Sequence, residues 1–276
     1  MNYYCLIAGL PDLQPEDNKS TLSLIELKNE LMDQLSDADA QLLRLLFAKF
    51  DNENWLRFLK NKDAALNPLG NLKSEHLNQL LALMQEFEHP QDIRLLSYIH
   101  TFYSNVNNEK FLTEGISHED YLSGLYYEYA MRSKNEFLQA WFEFNLNINN
   151  LLTAVTCRKH GFDLKALVLG NNEVAMAIKS SNARDFGLTG IFDQLDPVLR
   201  IADDTNLLER EKKIDAIKWN WLDEHTFFHY FSIEKIFAFV LKSEMLDRWK
   251  PLSIEKGTQI FREMLVGMKE EVKFEE

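Results

Sequence analysis

Glycine and proline are scarce in this chain, with ten and six residues among 276. Sheet-rich folds and phosphate-cradling loops both lean on glycine for tight turns and close backbone approach, so the scarcity argues against them and favours long helices. Cysteine is rarer still. Cys5 and Cys157 form no CxxC pair, which argues against a disulfide scaffold and fits a reducing cytoplasm. No run of about 18 uncharged apolar residues occurs, so no segment is expected to span a bilayer. The start, Met1 to Gly9, carries no positive region and its apolar run is short for a signal peptide. Positive charge is also deficient. Thirty Lys and Arg stand against 43 Asp and Glu, a formal net charge of −13. Without a Lys/Arg stripe there is no footprint for nucleic acid, and anionic lipid repels the chain on average. The excess of acid reads either as solubility or as complementarity to a basic protein partner.

What is abundant is apolar and aromatic. Hydrophobic residues make up 46% of the chain, with 19 Phe, 9 Tyr and 5 Trp, enough for a sizeable core. The 3.6-residue spacing of these side chains predicts an all-α fold. Residues 3–8 form an apolar run that periodicity assigns to neither strand nor helix. Pro11 and Pro15 mark a loop. Helices are expected over about 20–35 (with Leu24, Leu27, Leu31 and Leu35 on one face), from 36 through Phe47, and over 52–60. Residues 61–71 read as a loop. Further helices are expected over 74–88, 91–103 and 118–160, the last interrupted near 132–135 and closed by Gly161. Shorter helices broken at Gly170 and Gly187 follow, then helices over 189–201, 205–231, 232–249 and from 253 to about 267, with a charged tail. The whole of 1–276 is expected to form one all-α unit, with any lobe boundary near the polar stretch 104–117.

Three clusters invite a chemical reading. His225 and His229 are spaced to share one face of a helix, as zinc or iron sites require. The alternative is two amphipathic histidines at a core edge, and Thr226 stands where a zinc protease motif has glutamate. Glu86-Phe87-Glu88-His89 holds one copy of the Glu-x-x-His element that di-iron bundles use twice. Asp203-Asp204 begins like the magnesium-diphosphate run of helical terpenoid synthases, although Leu207 occupies the position of its third Asp; plain helix capping explains the same pair. No phosphate loop, nucleophile elbow or dinucleotide fingerprint occurs, and no cofactor is expected.

The stretch from Trp141 to Gly161 is less ordinary. Asn145, Asn147, Asn149 and Asn150 crowd a helix that is otherwise apolar, although asparagine is a poor helix former. At 100° per residue, Trp141, Phe144, Ile148, Leu151, Leu152 and Val155 share a face. Asn145 and Asn149 border that face on one side, Asn147 and Arg158 on the other. In the helix over 233–248, Glu244 falls within the apolar face of Ile233, Phe237, Val240 and Leu241. A carboxylate there is costly unless paired, so Glu244 is expected to be at least half buried and bonded to Arg248 or Arg158. Asn145, Asn147, Asn149, Arg158, Glu244 and Arg248 together read as a polar clamp between helices, set against the plainer reading of a core helix with a solvated back.

The run Asn147-Ile148-Asn149-Asn150-Leu151-Leu152, followed by Arg158-Lys159-His160-Gly161, resembles a pattern in the C-type subunit of V/A-type ATPases, known as d-type in eukaryotes. Val240 to Arg248, with its Lys-x-Glu…Arg order, looks like that family's C-terminal helix, and Tyr3-Tyr4-Cys5-Leu6-Ile7 is similar to its tyrosine-containing start. The chain also resembles an uncharacterised bacterial family encoded beside V-type ATPase subunits. The resemblance covers roughly 40 residues in separate pieces. It implies a funnel-like protein of related helical lobes that performs no chemistry. Such a protein links the rotary central shaft to the membrane proteolipid ring, at the cytoplasmic side of the inner membrane, without inserting into it. The rival expectation is a helical metal- or diphosphate-dependent enzyme using His225/His229 or Asp203/Asp204.

Overall fold

The computed structural model describes residues 2–15, 23–108 and 116–249. The fold is all-α, and among the described residues there is no strand. In chain order the helices are α1 (Tyr4–Gly9), α2 (Leu24–Gln34), α3 (Asp37–Lys60), α4 (Ser74–Glu86), α5 (Ser97–Asn107) and α6 (His118–Ala130). They continue with α7 (Glu136–His160), α8 (Leu164–Leu167), α9 (Glu173–Ser180), α10 (Leu195–Ala202), α11 (Leu207–Thr226) and α12 (Ile233–Trp249). The cap expected at Ser20, the helix from 253 and the tail lie outside the described residues.

Local chemistry explains most boundaries. Ser36 accepts a hydrogen bond from the Asp39 amide and starts α3. Asn135 does the same for α7 through the Leu138 amide. Gly161 closes α7 in the left-handed region, at φ 73°, where a side chain would be strained. Other boundaries differ from expectation. The two helices expected before residue 60 are one, because Asp51, Asn52 and Asn54 direct their side chains to distant partners instead of to their own backbone. The helix expected from 91 begins at Ser97, since Asp92 builds a turn with the amides of Arg94 and Leu95.

The chain divides into two compact units. One joins residues 1–34 to 222–276, and the other spans 35–221, so the stretch 104–117 lies within the second. In the first unit α2 packs on α12, with Leu24, Leu27 and Leu31 buried on one helix and Ile236, Phe237 and Val240 on the other. In the second, α6 contacts α3, α5 and α7, while α7 also carries α8, α9 and α10. Tyrosines join these helices with both ring and hydroxyl. Tyr126 is buried and donates to the Leu45 carbonyl, and Tyr98 donates to Asn52 at 2.6 Å. Trp221 stacks on Phe144 at 5.1 Å and also meets Trp141 and Phe137.

The loop between α3 and α4 is held from inside the core. Asp51 is buried and accepts from the amides of Asn71 and Leu72 and from the Asn71 side chain, at 2.6–3.0 Å. Asn54 accepts from the Asn67 amide and donates to the Asn67 carbonyl. Gly70 passes so close that a Cβ there would overlap the Asn54 amide. Asp51→Ala strands two backbone amides, and a loss of about 2–4 kcal/mol is expected in urea denaturation. A denaturation midpoint equal to the wild type would show that the loop is held by other groups.

Candidate functional site

The asparagines of α7 face inward. Asn145, Asn147 and Asn150 are all buried, and Asn149 alone is exposed. Asn150 is 2% exposed and holds both backbone groups of one residue. Its Nδ2 donates to the Leu169 carbonyl at 2.8 Å, and its Oδ1 accepts from the Leu169 amide at 2.9 Å. Asn147 accepts from the Asn172 amide side chain at 2.8 Å, and Asn172 also donates to Glu143. The Asn172 oxygen in turn caps α9 through the Ala175 amide. Lys179 completes the set by donating to the Gly170 carbonyl at 2.7 Å. Burial pushes the Lys179 pKa below its ordinary value, while Glu128 nearby pulls it back up. Gly170 lies at φ 75°, and a Cβ there would come within 3.1 Å of Leu146.

These bonds fasten residues 168–172 onto α7. The remaining asparagines have other partners. Asn145 donates back to the Trp141 carbonyl one turn earlier, and Asn149 donates to the Tyr127 hydroxyl. Arg158 serves a second loop. Its guanidinium lies 3.5 Å over the Phe186 ring and donates to the carbonyls of Ser181 and Arg184. Phe186 is buried with φ 57°, a costly conformation for a bulky residue, and Arg158 braces it. Burial lowers the Arg158 pKa, and Asp185 opposes that shift. Glu244 is part-buried on α12, and Arg248 is exposed with its guanidinium 5.3 Å from the centre of the Trp249 ring. Asn150, Asn172 and Lys179 were absent from the sequence-based clamp. Asn150 sits about 200° around the helix from Ile148, on the side that the wheel assigns to solvent. Only the packing of a loop on that side buries it.

The clusters with chemical spacing are taken apart by helix ends. His225 is within α11, but α11 stops at Thr226 and His229 follows in a turn. The Thr226 hydroxyl donates to the Leu222 carbonyl, and the next amides bond three residues back, Phe227 to Glu224 and His229 to Thr226. That tightening ends the helix, so the two imidazoles do not share a helical face. His229 instead meets Ser232, whose hydroxyl donates to Glu234. Glu86 is the last residue of α4 and His89 lies in the turn beyond it. Asp203 stands at the C-terminal end of α10 and not at a helix start, Asn206 accepts from the first amides of α11, and Asp204 pairs with Lys213 at 2.6 Å, which lowers its pKa. Among the described residues no group of three or more His, Cys, Asp or Glu side chains is placed to hold a metal ion.

An open cleft in the second unit is lined by His89, Asp92, Ser97 and His100. Its carboxylate is engaged. Arg94 donates to Asp92 from its backbone amide, Nε and Nη2 at 2.6–2.9 Å, and reaches Gln79 with Nη1. The guanidinium hydrogen bonds hold the Asp92 pKa at about 2, against an ordinary 3.8.

Two outcomes follow from these contacts. Asn150→Ala leaves the Leu169 amide and carbonyl without partners and is expected to cost about 2–3 kcal/mol, whereas Asn149→Ala stays within about 0.5 kcal/mol. Urea denaturation of the two variants checks the contrast, and equal losses would contradict it. For Asp92 the folded pKa lies below the unfolded one. Its contribution to stability is therefore present above about pH 3.8 and is lost as pH falls towards 2. Arg94→Gln is expected to raise the Asp92 midpoint from about 2 towards 3.8 in an NMR titration. A midpoint that stays low would assign the shift to another group.

No curated protein and no solved structure matches the chain. A family model does, over residues 1–272. By that match the chain belongs to the family described as Protein of unknown function (DUF2764).

Proposed function

We propose that the protein is a non-catalytic helical adaptor, similar in role to the C-type subunit of V-type ATPases, linking the central shaft to the proteolipid ring. The observation that carries this reading is the use made of the polar residues of α7. Asn147, Asn150 and Arg158, which belong to the stretch that resembles that ATPase family, hold loops 168–172 and 181–187 against their helix. Neutral amides transfer no protons near pH 7, so the arrangement favours fastening over chemistry. A body that transmits torque needs loops that do not yield, and buried, fully bonded amides resist displacement. The excess of acid in the chain suits a basic surface on one of its neighbours. Among the described residues no helix is long and apolar enough to cross a membrane. In this proposal the protein lies at the cytoplasmic side of the inner membrane and is attached through the other proteins of the complex.

Affinity capture of the tagged chain from gently solubilised membranes tests the proposal. Shaft and ring proteins of a V-type ATPase are expected to co-purify in stoichiometric amounts. Repeated recovery of the chain without any ATPase component would sink it.

A further inference from the structure

Among the described residues of the first unit is an exposed aromatic surface. After α11 ends at Thr226, the chain runs through Phe227, Phe228, His229, Tyr230 and Phe231 before α12 begins. Phe228 is 81% exposed, Phe227 65% and Tyr230 64%. Beside them lies α1, an apolar helix of sequence YCLIAG with no buried residue. The two pieces form one patch: the Tyr3 amide donates to the Phe231 carbonyl at 2.7 Å, and the Tyr4 and Phe231 rings meet at 4.6 Å. Scattered exposed aromatics are ordinary, but a contiguous set from two segments marks a contact surface.

The charges around the patch select its occupant. Segments 2–15 and 222–235 contain Asp12, Asp223, Glu224 and Glu234 against Lys235, and Lys242 of α12 is bonded to Asp223, which still leaves acid in excess. Aromatic faces attract cations through their ring quadrupoles, and carboxylates at the rim attract the same groups. A second copy of the chain would bring another −13 to the contact, and an anionic lipid surface would be repelled likewise. We infer that Tyr4, Phe227, Phe228, Tyr230 and Phe231 form a docking surface for a protein partner that presents an apolar stripe flanked by Lys and Arg, as a cationic amphipathic helix does. The inference is independent of the adaptor proposal: either can fail while the other stands.

The test uses the full chain and a fluorescent amphipathic peptide of leucine and lysine at physiological ionic strength, read by anisotropy. Its counterpart of leucine and glutamate serves as the charge control. The lysine peptide is expected to bind and the glutamate peptide not to. The double variant Phe228→Ser/Tyr230→Ser is expected to weaken binding about tenfold. Phe162→Ser, at an exposed phenylalanine of the other unit, should leave it unchanged. Phe228→Ser alone gives a milder arm, and circular dichroism confirms that each variant is folded. Equal affinity of the lysine peptide for wild type and double variant would overturn the inference, as would equal binding of the two peptides or no binding at all. So would an aromatic-dependent association with phosphatidylcholine vesicles, or an aromatic-dependent dimer in sedimentation, in the absence of a peptide effect.

Discussion

Asn150 gives Leu169 both of the hydrogen bonds that a neighbouring strand would give it, one to its amide and one to its carbonyl. In a fold without a strand among the described residues, this side chain does the work of a sheet ladder at one point. The loop it holds then sets the rest. With Leu169 fixed, Gly170 takes a backbone conformation closed to most side chains and approaches Leu146. Its carbonyl is thereby presented to Lys179, and Asn172 is placed to cap α9 while reaching back to Asn147. Remove the Asn150 amide and each later contact loses its fixed point.

Magnitudes explain why poor helix formers are tolerated here. An asparagine in a helix costs roughly 0.7 kcal/mol relative to alanine. Leaving a buried backbone group without a partner costs about 1–3 kcal/mol. One buried asparagine that satisfies two such groups therefore more than offsets its own propensity. The same comparison applies at Asp51 and Asn54, which serve the loop after α3 in the middle of a 24-residue helix. Both loops also pass a glycine close to the anchoring helix, Gly70 in one case and Gly170 in the other. At these two places the close approach of the backbone accompanies a buried polar side chain that holds the loop.

The fold class was legible because helical periodicity and caps are local. Ser36, Asn135 and Gly161 act within four residues of themselves, and the break between α6 and α7 covers 131–135, one residue more than the predicted 132–135. What was not legible depends on distant partners. The two units pair the beginning of the chain with its end, and no stretch such as 104–117 announces that division. Asn150 lies outside the apolar face, and its bonds to Leu169, 19 residues away, leave no trace in the local pattern. His225 and His229 keep a helical spacing in the sequence, but the helix ends between them because the amides after Thr226 turn to partners three residues back. A spacing argument holds only while the helix continues, and the aromatic run that follows gave no sign of where it would stop.

The two groups of conspicuous residues therefore do opposite work. Asn145, Asn147 and Asn150 of α7 are directed inward and bonded within the second unit, whereas Tyr4 of α1 and the aromatic residues of the 227–231 turn are directed outward in the first. A helix of six residues is too short to persist in water on its own and relies on tertiary contacts. In α1 those contacts include the buried Tyr3, bonded to Phe231, and the Tyr4 ring on the Phe231 ring. The helix thus has its position fixed while Tyr4 stays exposed and Leu6 and Ile7 are only partly covered. Apolar surface left in water forgoes about 25 cal/mol for each Å² that a contact would remove. That free energy is available to association because folding has not used it, and the acidic rim determines which partners can collect it.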